Sequence, residues 1–457
     1  APRRRQLHRI LLPVPGFRPR RRRRALREVP GVARRAGPHR RGEPDAGGRP
    51  PRTVRRVAPA IRSGRGRLPA GHGGTAGARR GVVGDRGPDH QLTEDVVRVT
   101  EIDGLRDLWY AVARSDEQSP AGARRVRLLG DDYTLWRAGG GRPVLAEAYC
   151  PHRGASLASA SVADGRLVCC YHGWEFDGSG SCVHIPQLDP GLPIPPKACL
   201  RTWPVVERYG LVWACVGAPA TDGPPRFVEA DEHGWRVQVD FFEPWAASAL
   251  RVVDNNIDQS HPAFVHRGTF GDPSRARVPP YELERTATGL RARVPQDVGG
   301  VGPQMGDADE GKRYERMQEV ELLDLMHTRI RLSYGGQAPD YAFYGSATPV
   351  DDSSSIYVRV SALAGDEDVQ PYAMFWDFSR RVTLEDKVVL EQTSPDFPVE
   401  VTREVHLRCD RTTLEYRRQL ARLVSGGAEG EPEATDVPQP RMEGAVAQEP
   451  SAAEPAA

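Results

Sequence analysis

The 457-residue chain has no run of about eighteen apolar residues, so a membrane-spanning helix is not expected. Lysine is nearly absent, and almost all of the 63 basic residues are arginine. The N-terminal part is rich in arginine, but no apolar stretch follows it, which argues against a secretory or twin-arginine signal. The seven cysteines lack the spacing of a disulfide framework, which fits a reducing, cytoplasmic setting. No glycine fingerprint for a dinucleotide follows a strand-like segment.

The small net charge of +2 hides two opposed parts. The first 90 residues hold 25 arginines against five acidic residues, whereas the remainder holds 38 basic against 56 acidic residues. The globular part is therefore acidic, which excludes a nucleic-acid function argued from overall charge. Residues 1–92 combine Arg, Pro and Gly without hydrophobic period and are expected to be a disordered extension. The Arg20 to Arg24 run resembles nucleic-acid-binding or transit-peptide sequence, but the favoured reading is sequence upstream of the true domain, such as an extended reading frame in a GC-rich genome. Residues 425–457, rich in Ala, Glu and Pro, are expected to be a disordered tail.

What is present is concentrated in two places. The first is Cys150-Pro151-His152, then sixteen residues, then Cys169-Cys170-Tyr171-His172. Two loops, each offering one thiolate and one imidazole, suit a two-iron cluster in which sulfur holds one iron and nitrogen the other. Two Cys and two His are also a zinc set, but zinc modules typically keep a Cys pair apart from a His pair. The blocks Cys-Pro-His-Arg-Gly-Ala and Cys-Cys-Tyr-His-Gly-Trp resemble the Rieske boxes of ring-hydroxylating oxygenases. That resemblance implies Cys150, His152, Cys169 and His172 as ligands of a [2Fe-2S] cluster, with Tyr171 and Trp174 shielding it. Respiratory Rieske proteins carry an extra cysteine in each loop. Here the first box has none and Cys170 is displaced by one position, which points away from that type.

Short apolar or alternating runs at Arg125 to Leu129, Tyr133 to Arg137, Val144 to Tyr149, Arg166 to Cys169 and Gly210 to Val216 predict antiparallel strands. A small all-β domain over 93–223 is expected, with the prolines of Ile185 to Ala198 making an extended connection. Residues 224–424 predict an α+β domain. Helical character spans Trp245 to Gln259, strand-like stretches follow from Arg291 to Ala362, and a final helix is expected over Arg380 to Thr393.

The second constellation is Asp254 to His266. His261 and His266, the first followed by Pro262, cannot share one unbroken helix face, because the proline favours ending the helix. Such a bend allows both imidazoles to converge on one ion. Two His and one carboxylate would leave open positions for dioxygen. Asn255, Asp258, His261 and His266 match the pattern Asn-x-x-Asp-x-x-His-x-x-x-x-His of Rieske oxygenase catalytic subunits. The resemblance implies His261 and His266 as ligands of mononuclear Fe(II), Asn255 as an outer contact, and Asp258 as the residue linking an iron-binding His to a cluster His. The third ligand it implies is Asp386, in Leu384-Glu385-Asp386-Lys387, with Glu385 and Glu391 as competitors.

Residues 96–424 as a whole are similar to the catalytic subunit of Rieske non-haem iron oxygenases, closest to the homotrimeric monooxygenase and demethylase branch. The expected architecture is a Rieske domain followed by a helix-grip-like catalytic domain with a mainly antiparallel sheet. The implied chemistry is reductive activation of dioxygen, with hydroxylation or oxidative demethylation of a small aromatic or alicyclic substrate. Electrons would come from an NAD(P)H-dependent reductase, with or without a ferredoxin, and cross from His172 to Asp258 of a neighbouring copy in a head-to-tail ring. Substrate contacts are expected among apolar and aromatic residues between Leu322 and Phe378. The alternative is a Rieske ferredoxin-like electron carrier with an appended non-catalytic domain. A carrier would need only about 110 residues and no second metal motif.

Overall fold

A computed structural model describes residues 97–117, 119, 121–299, 313–368 and 371–425. The extension at 1–92, and all of the expected tail at 425–457 except Ser425, lie outside these residues.

The first half of the described chain is built from eleven short strands. They are β1 (Tyr110–Arg114), β2 (Arg124–Leu128), β3 (Asp131–Arg137), β4 (Pro143–Glu147), β5 (Ser161–Ala163), β6 (Arg166–Val168), β7 (Glu175–Phe176), β8 (Cys182–His184), β9 (Thr202–Trp203), β10 (Val205–Arg208) and β11 (Leu211–Ala214). They form antiparallel sheets in the orders β1-β11-β10, β2-β3-β4-β9 and β5-β6-β7-β8. Three tight turns set the registers. Leu129-Gly130, Asp164-Gly165 and Tyr209-Gly210 all have positive φ at both residues, the backbone that matches strand twist in a two-residue hairpin. Trp136, Leu157, Leu167 and Phe176 fill a core under β5 to β8 that also includes Cys150 and Cys169. Ile185 to Ala198 contains no strand, as its prolines predict.

The second half is an antiparallel sheet of seven strands among the described residues, β12 (Trp235–Trp245), β13 (Glu282–Arg285), β14 (Leu290–Gly299), β15 (Arg313–Asp324), β16 (His327–Ser333), β17 (Tyr341–Pro349) and β18 (Ser355–Ala364). Their order is β12-β18-β17-β16-β15-β14-β13. The helices are α1 (Val228–Asp231), α2 (Ala249–Ile257), α3 (Pro262–Val265), α4 (Tyr372–Leu390) and α5 (Arg411–Val424). No helix among the described residues is long and apolar enough to cross a membrane.

Several expected elements differ in their limits. Trp245 does not open a helix; it ends β12 opposite Ser355, and α2 begins only at Ala249. The alternation in β12 is masked because its inward polar residue, Asp240, is buried in an ion pair with Arg359. The helix expected over Arg380 to Thr393 starts earlier, at Tyr372, and is not the last. α5 follows it, with arginines interrupting its apolar stripe. Arg417 of α5 is buried against Asp254 and Glu404, so a charged residue occupies a core position. Thr412 Oγ1 donates to the Ile257 carbonyl at 2.8 Å, which ties α5 to the end of α2.

The two halves share a core. Tyr110 and Val112 of β1 pack in one apolar cluster with Val252 and Val253 of α2 and Leu322 of β15. Hydrogen bonds join them too, the backbone Leu129 N–H to Pro349 O at 2.9 Å and the Thr348 hydroxyl to Ala111 O at 2.9 Å. A buried ion network adds to the sheet: Arg329 pairs with Glu229 of α1 and with Glu319 and Glu321 of β15.

Candidate metal centres

The two Cys-His loops are conformational copies of one another. Cys150 N–H donates to Ala155 O at 2.8 Å, and Cys169 N–H to Trp174 O at 2.9 Å. In each loop the glycine four residues after the cysteine donates back, Gly154 to Cys150 O at 2.9 Å and Gly173 to Cys169 O at 3.0 Å. Both glycines sit at positive φ, 68° and 72°, where a side chain would strain the backbone. The second loop closes the β6/β7 hairpin, and the first follows β4.

The loops bring the four expected ligands together. Cys150 and Cys169 are buried, and the His152 and His172 rings lie 4.4 Å apart. Trp174 stacks on His152 at 4.5 Å, and Tyr171 covers His172 at 3.9 Å while remaining 61% exposed. His152 Nδ1 is buried without a hydrogen-bond partner, as a metal-facing nitrogen would be in the free protein. Burial pushes the Cys150 thiol up to about 11, and the hydrogen bond with Cys169 adds to this. Such thiols ionise only with a cation beside them. Among the described residues, the one group of three or more ligand atoms all within 4.8 Å of one another is elsewhere. The Cys-His set offers two adjoining thiols and two adjoining imidazoles, the donor set of a cluster in which sulfur holds one iron and nitrogen the other.

That other group is His261, His266 and Asp386. α2 ends at Ile257 because Asp258 turns extended, with φ −73° and ψ 138°. Its carboxylate then organises the turn, accepting from Ser260 N–H at 3.0 Å, Ser260 Oγ at 2.8 Å and His261 N–H at 2.9 Å. Pro262 acts differently from the expectation: it opens α3 at the first helical position, where its missing N–H costs nothing, rather than ending the helix before it. His261 and His266 flank this four-residue helix and face each other at 5.2 Å between rings. Asn255 and Asp258 do not share a helix face, since Asp258 lies beyond the helix.

Each imidazole is held at Nδ1 by a carboxylate and presents Nε2 to Asp386. His261 Nδ1 lies 3.0 Å from Asp258 Oδ2, and His266 Nδ1 lies 3.1 Å from Glu385 Oε2. Asp386 Oδ1 stands 3.6 Å from His261 Nε2 and 3.4 Å from His266 Nε2. Atoms about 2.1 Å from a shared ion stand roughly 3 to 3.5 Å from each other, so these three fit one metal. Asn255 Nδ2 donates to the same Asp386 oxygen at 3.2 Å. Burial works against the charge of Asp258, but the hydrogen bond and charge of His261 and the backbone donors hold its carboxyl at about 2. Burial likewise opposes protonation of His261, yet Asp258 and Asp386 raise it above the ordinary imidazole value.

Glu385 thus contacts His266 and Thr269 Oγ1, and Glu391 accepts from Ala246 N–H, away from the group. The role of Glu385 was missed by sequence reasoning, because neighbouring residues on a helix point about 100° apart and nothing in Leu-Glu-Asp-Lys says which face is inward. The group opens on a cavity of about 110 Å³, the scale that takes a single small ring. Its walls include Ile330, Tyr341, Phe343, Phe375 and Phe378 from the expected range, and also Phe270, Arg316 and Gln318, which lie outside it.

Residues 108–204 match the family model of the Rieske [2Fe-2S] domain, and residues 245–426 that of the vanillate O-demethylase oxygenase C-terminal domain. The chain is 28% identical over 347 residues to the methylxanthine N1-demethylase NdmA of Pseudomonas putida, covering 74% of this chain and 94% of the relative. It is 37% identical over 188 residues to the iron-sulfur subunit of the toluene-4-sulfonate monooxygenase system of Comamonas testosteroni. That match covers 40% of this chain and 53%, about half, of the relative. The solved structure of NdmA with caffeine superposes with a TM-score of 0.63 at 28% identity, covering 72% of this chain and 94% of that one. Dicamba monooxygenase bound to 3,6-dichlorosalicylic acid shares the fold, with a TM-score of 0.58 at 23% identity over 71% of this chain and 99% of that one.

Proposed function

The chain belongs to the Rieske non-haem iron oxygenases, and we propose that it uses dioxygen and electrons from a separate NAD(P)H-dependent reductase, directly or through a ferredoxin, to hydroxylate or oxidatively demethylate a small aromatic or alicyclic substrate. The observation that carries this reading is the pair of imidazoles pinned at Nδ1 by Asp258 and Glu385 with both Nε2 atoms turned to Asp386 beside a ring-sized cavity. A carboxylate behind each metal-binding His fixes the tautomer and raises its basicity. Relatives named for methylxanthine demethylation and toluene-4-sulfonate monooxygenation support both reaction types on small rings.

In this reading Cys150, His152, Cys169 and His172 hold a [2Fe-2S] cluster, and His261, His266 and Asp386 hold ferrous iron. Once bound, the two groups supply single electrons and the activation of dioxygen. Asp258 keeps the His261 proton at Nδ1, so that Nε2 stays free to ligate. Asn255 steadies Asp386, Trp174 limits water at His152, and the aromatic walls orient the substrate ring. The described Cys-His loops and the His261 site share no hydrogen bond or ring contact within the chain. A head-to-tail homotrimer would bring the loops, with exposed Tyr149, Tyr171 and Leu192, to the surface of another copy near Asp258, where Phe264 and Val388 are exposed. The Rieske and catalytic domains are assigned to 93–223 and 224–424, and the protein to the cytoplasm.

Iron analysis after anaerobic purification tests the reading. About three irons per chain are expected, two from the cluster and one from the His261 site. A cluster with no further iron, together with no substrate-dependent oxygen consumption beside a surrogate reductase, would leave only an electron carrier.

A further inference from the structure

The cavity beside His261 and His266 is lined by two buried arginines, and their charges are treated differently. Arg359 has a carboxylate at hand, Asp240 at 3.3 Å, with Thr383 Oγ1 at 2.7 Å and the Ser379 hydroxyl completing its shell. Arg316 is equally buried, at 6% exposure, but its donors meet neutral groups: Nε donates to Gln296 Oε1 at 2.7 Å and Nη1 to the Tyr334 hydroxyl at 3.1 Å. Its guanidinium lies over the Phe270 ring at 5.4 Å. The Tyr341 phenol also bonds it, and among the described residues no ion pair joins it to a carboxylate. The cation is thus held in the cavity wall by hydrogen-bonding and aromatic neighbours, with no negative charge beside it to match its own.

We propose that Arg316 is the recognition site for an anionic substituent of the substrate, a carboxylate or sulfonate on a small ring. The position suits the role. Arg316 borders both the inner cavity and a wide outer depression lined by Ala276, Val278 and Pro279, so an entering ligand passes it. Phe270 stands between the two ends of the site, stacked on His266 at 4.9 Å on one side and against Arg316 on the other. An oxyanion held at the guanidinium therefore leaves the opposite end of the ring at the His261, His266 and Asp386 group. The acid is retained and a remote carbon is oxidised. A planar guanidinium pairs two oxygens at once, which fixes direction as well as affinity. The inference rests on the oxygenase reading for the word substrate, but the binding it predicts needs no turnover.

The test is calorimetric titration of the purified, metal-loaded chain with matched probes. 4-Methylbenzoate is compared with 4-methylbenzamide, and 4-methylbenzenesulfonate with 4-methylbenzenesulfonamide. At least one anion should bind about tenfold or more tightly than its amide, and the anion that does so names the class. Arg316→Gln should bring that pair to within about twofold while leaving amide affinity unchanged. Arg316→Lys, which keeps the charge but loses the fork, should weaken the anion several-fold. Equal affinities in the wild type, no binding by either anion, or a preference that survives in Arg316→Gln overturns the proposal. If Arg316→Gln does not fold, an anion affinity unchanged in Arg316→Lys does so. None of these results touches the oxygenase reading, which stands or falls on iron content and oxygen consumption.

Discussion

The two candidate metal centres are built in opposite ways. The Cys150 to His172 site is one contiguous block whose geometry is local: two loops with the same pair of backbone hydrogen bonds and the same left-handed glycine. The His261 site is assembled over distance. Asp386 comes from α4, more than a hundred residues after His266, and α4 is held there by contacts from distant elements, among them Arg359 of β18 to Ser379 and Thr383 and Ala246 N–H to Glu391. The local site should therefore survive damage that empties the dispersed one, and each should be removable without the other.

The largest effects come from deleting a ligand at either site. Cys169→Ala should abolish the cluster's visible absorption and leave about one iron per chain, whereas Asp386→Ala should keep the absorption and leave about two. Both should be inactive in reductase-coupled turnover. Loss of both metals from Asp386→Ala would show that the centres are not independent.

Asp258→Asn separates ligation from connection. The amide keeps one oxygen that can accept and turns the other position into a donor, so it cannot serve both Ser260 and His261, but no ligand atom is removed and both metals should remain bound. The charge that keeps the proton on His261 Nδ1 is lost, and coupled turnover should fall by about 100-fold or more. Iron content measured beside turnover decides the matter. Activity close to wild type would remove Asp258 from the electron path.

The difference between the centres also explains what the sequence made legible. Both Cys-His pairs and the surrounding strands could be read directly, because a hairpin loop and its ligands are neighbours in the chain. His261 and His266 were legible as a pair, but Asp386 came only through resemblance. Its distinction from Glu385 depends on how α4 is rotated. Pro262 was read as a stop because its position relative to the preceding helix end cannot be counted without knowing that Asp258 breaks the helix first. β12 and α5 were missed for a shared reason: each buries a charged residue, Asp240 and Arg417, whose partners lie far away in sequence. Patterns of apolar spacing fail wherever a core position is filled by a satisfied ion pair.

A smaller effect should follow from removing the carboxylate behind His266. Glu385→Ala leaves all three ligands but frees the imidazole to rotate, and removes the acceptor of Thr269 Oγ1 as well. Mononuclear iron affinity should weaken by about tenfold, the low end for such outer contacts, while the cluster is untouched. Chelator competition followed by iron analysis measures it. An affinity equal to wild type would mean that α4 packing alone orients His266.

The smallest effects compare the two loops with each other. Gly154 and Gly173 hold the same place and nearly the same φ, so an alanine at either pays about 1 to 2 kcal/mol for the left-handed backbone. The surroundings differ. An added Cβ at Gly154 meets nothing within 4 Å, whereas at Gly173 it stands 3.2 Å from Pro186 Cγ, in the proline-rich connection that closes over the second loop. Gly173→Ala must therefore displace that connection as well as strain the turn. Calorimetric melting of the cluster-loaded protein should show both variants lowered by a few degrees, with Gly173→Ala the lower. A larger loss at Gly154 would mean that the first loop, not the second, bears the tighter constraint, and that the likeness of the two turns stops at their hydrogen bonds.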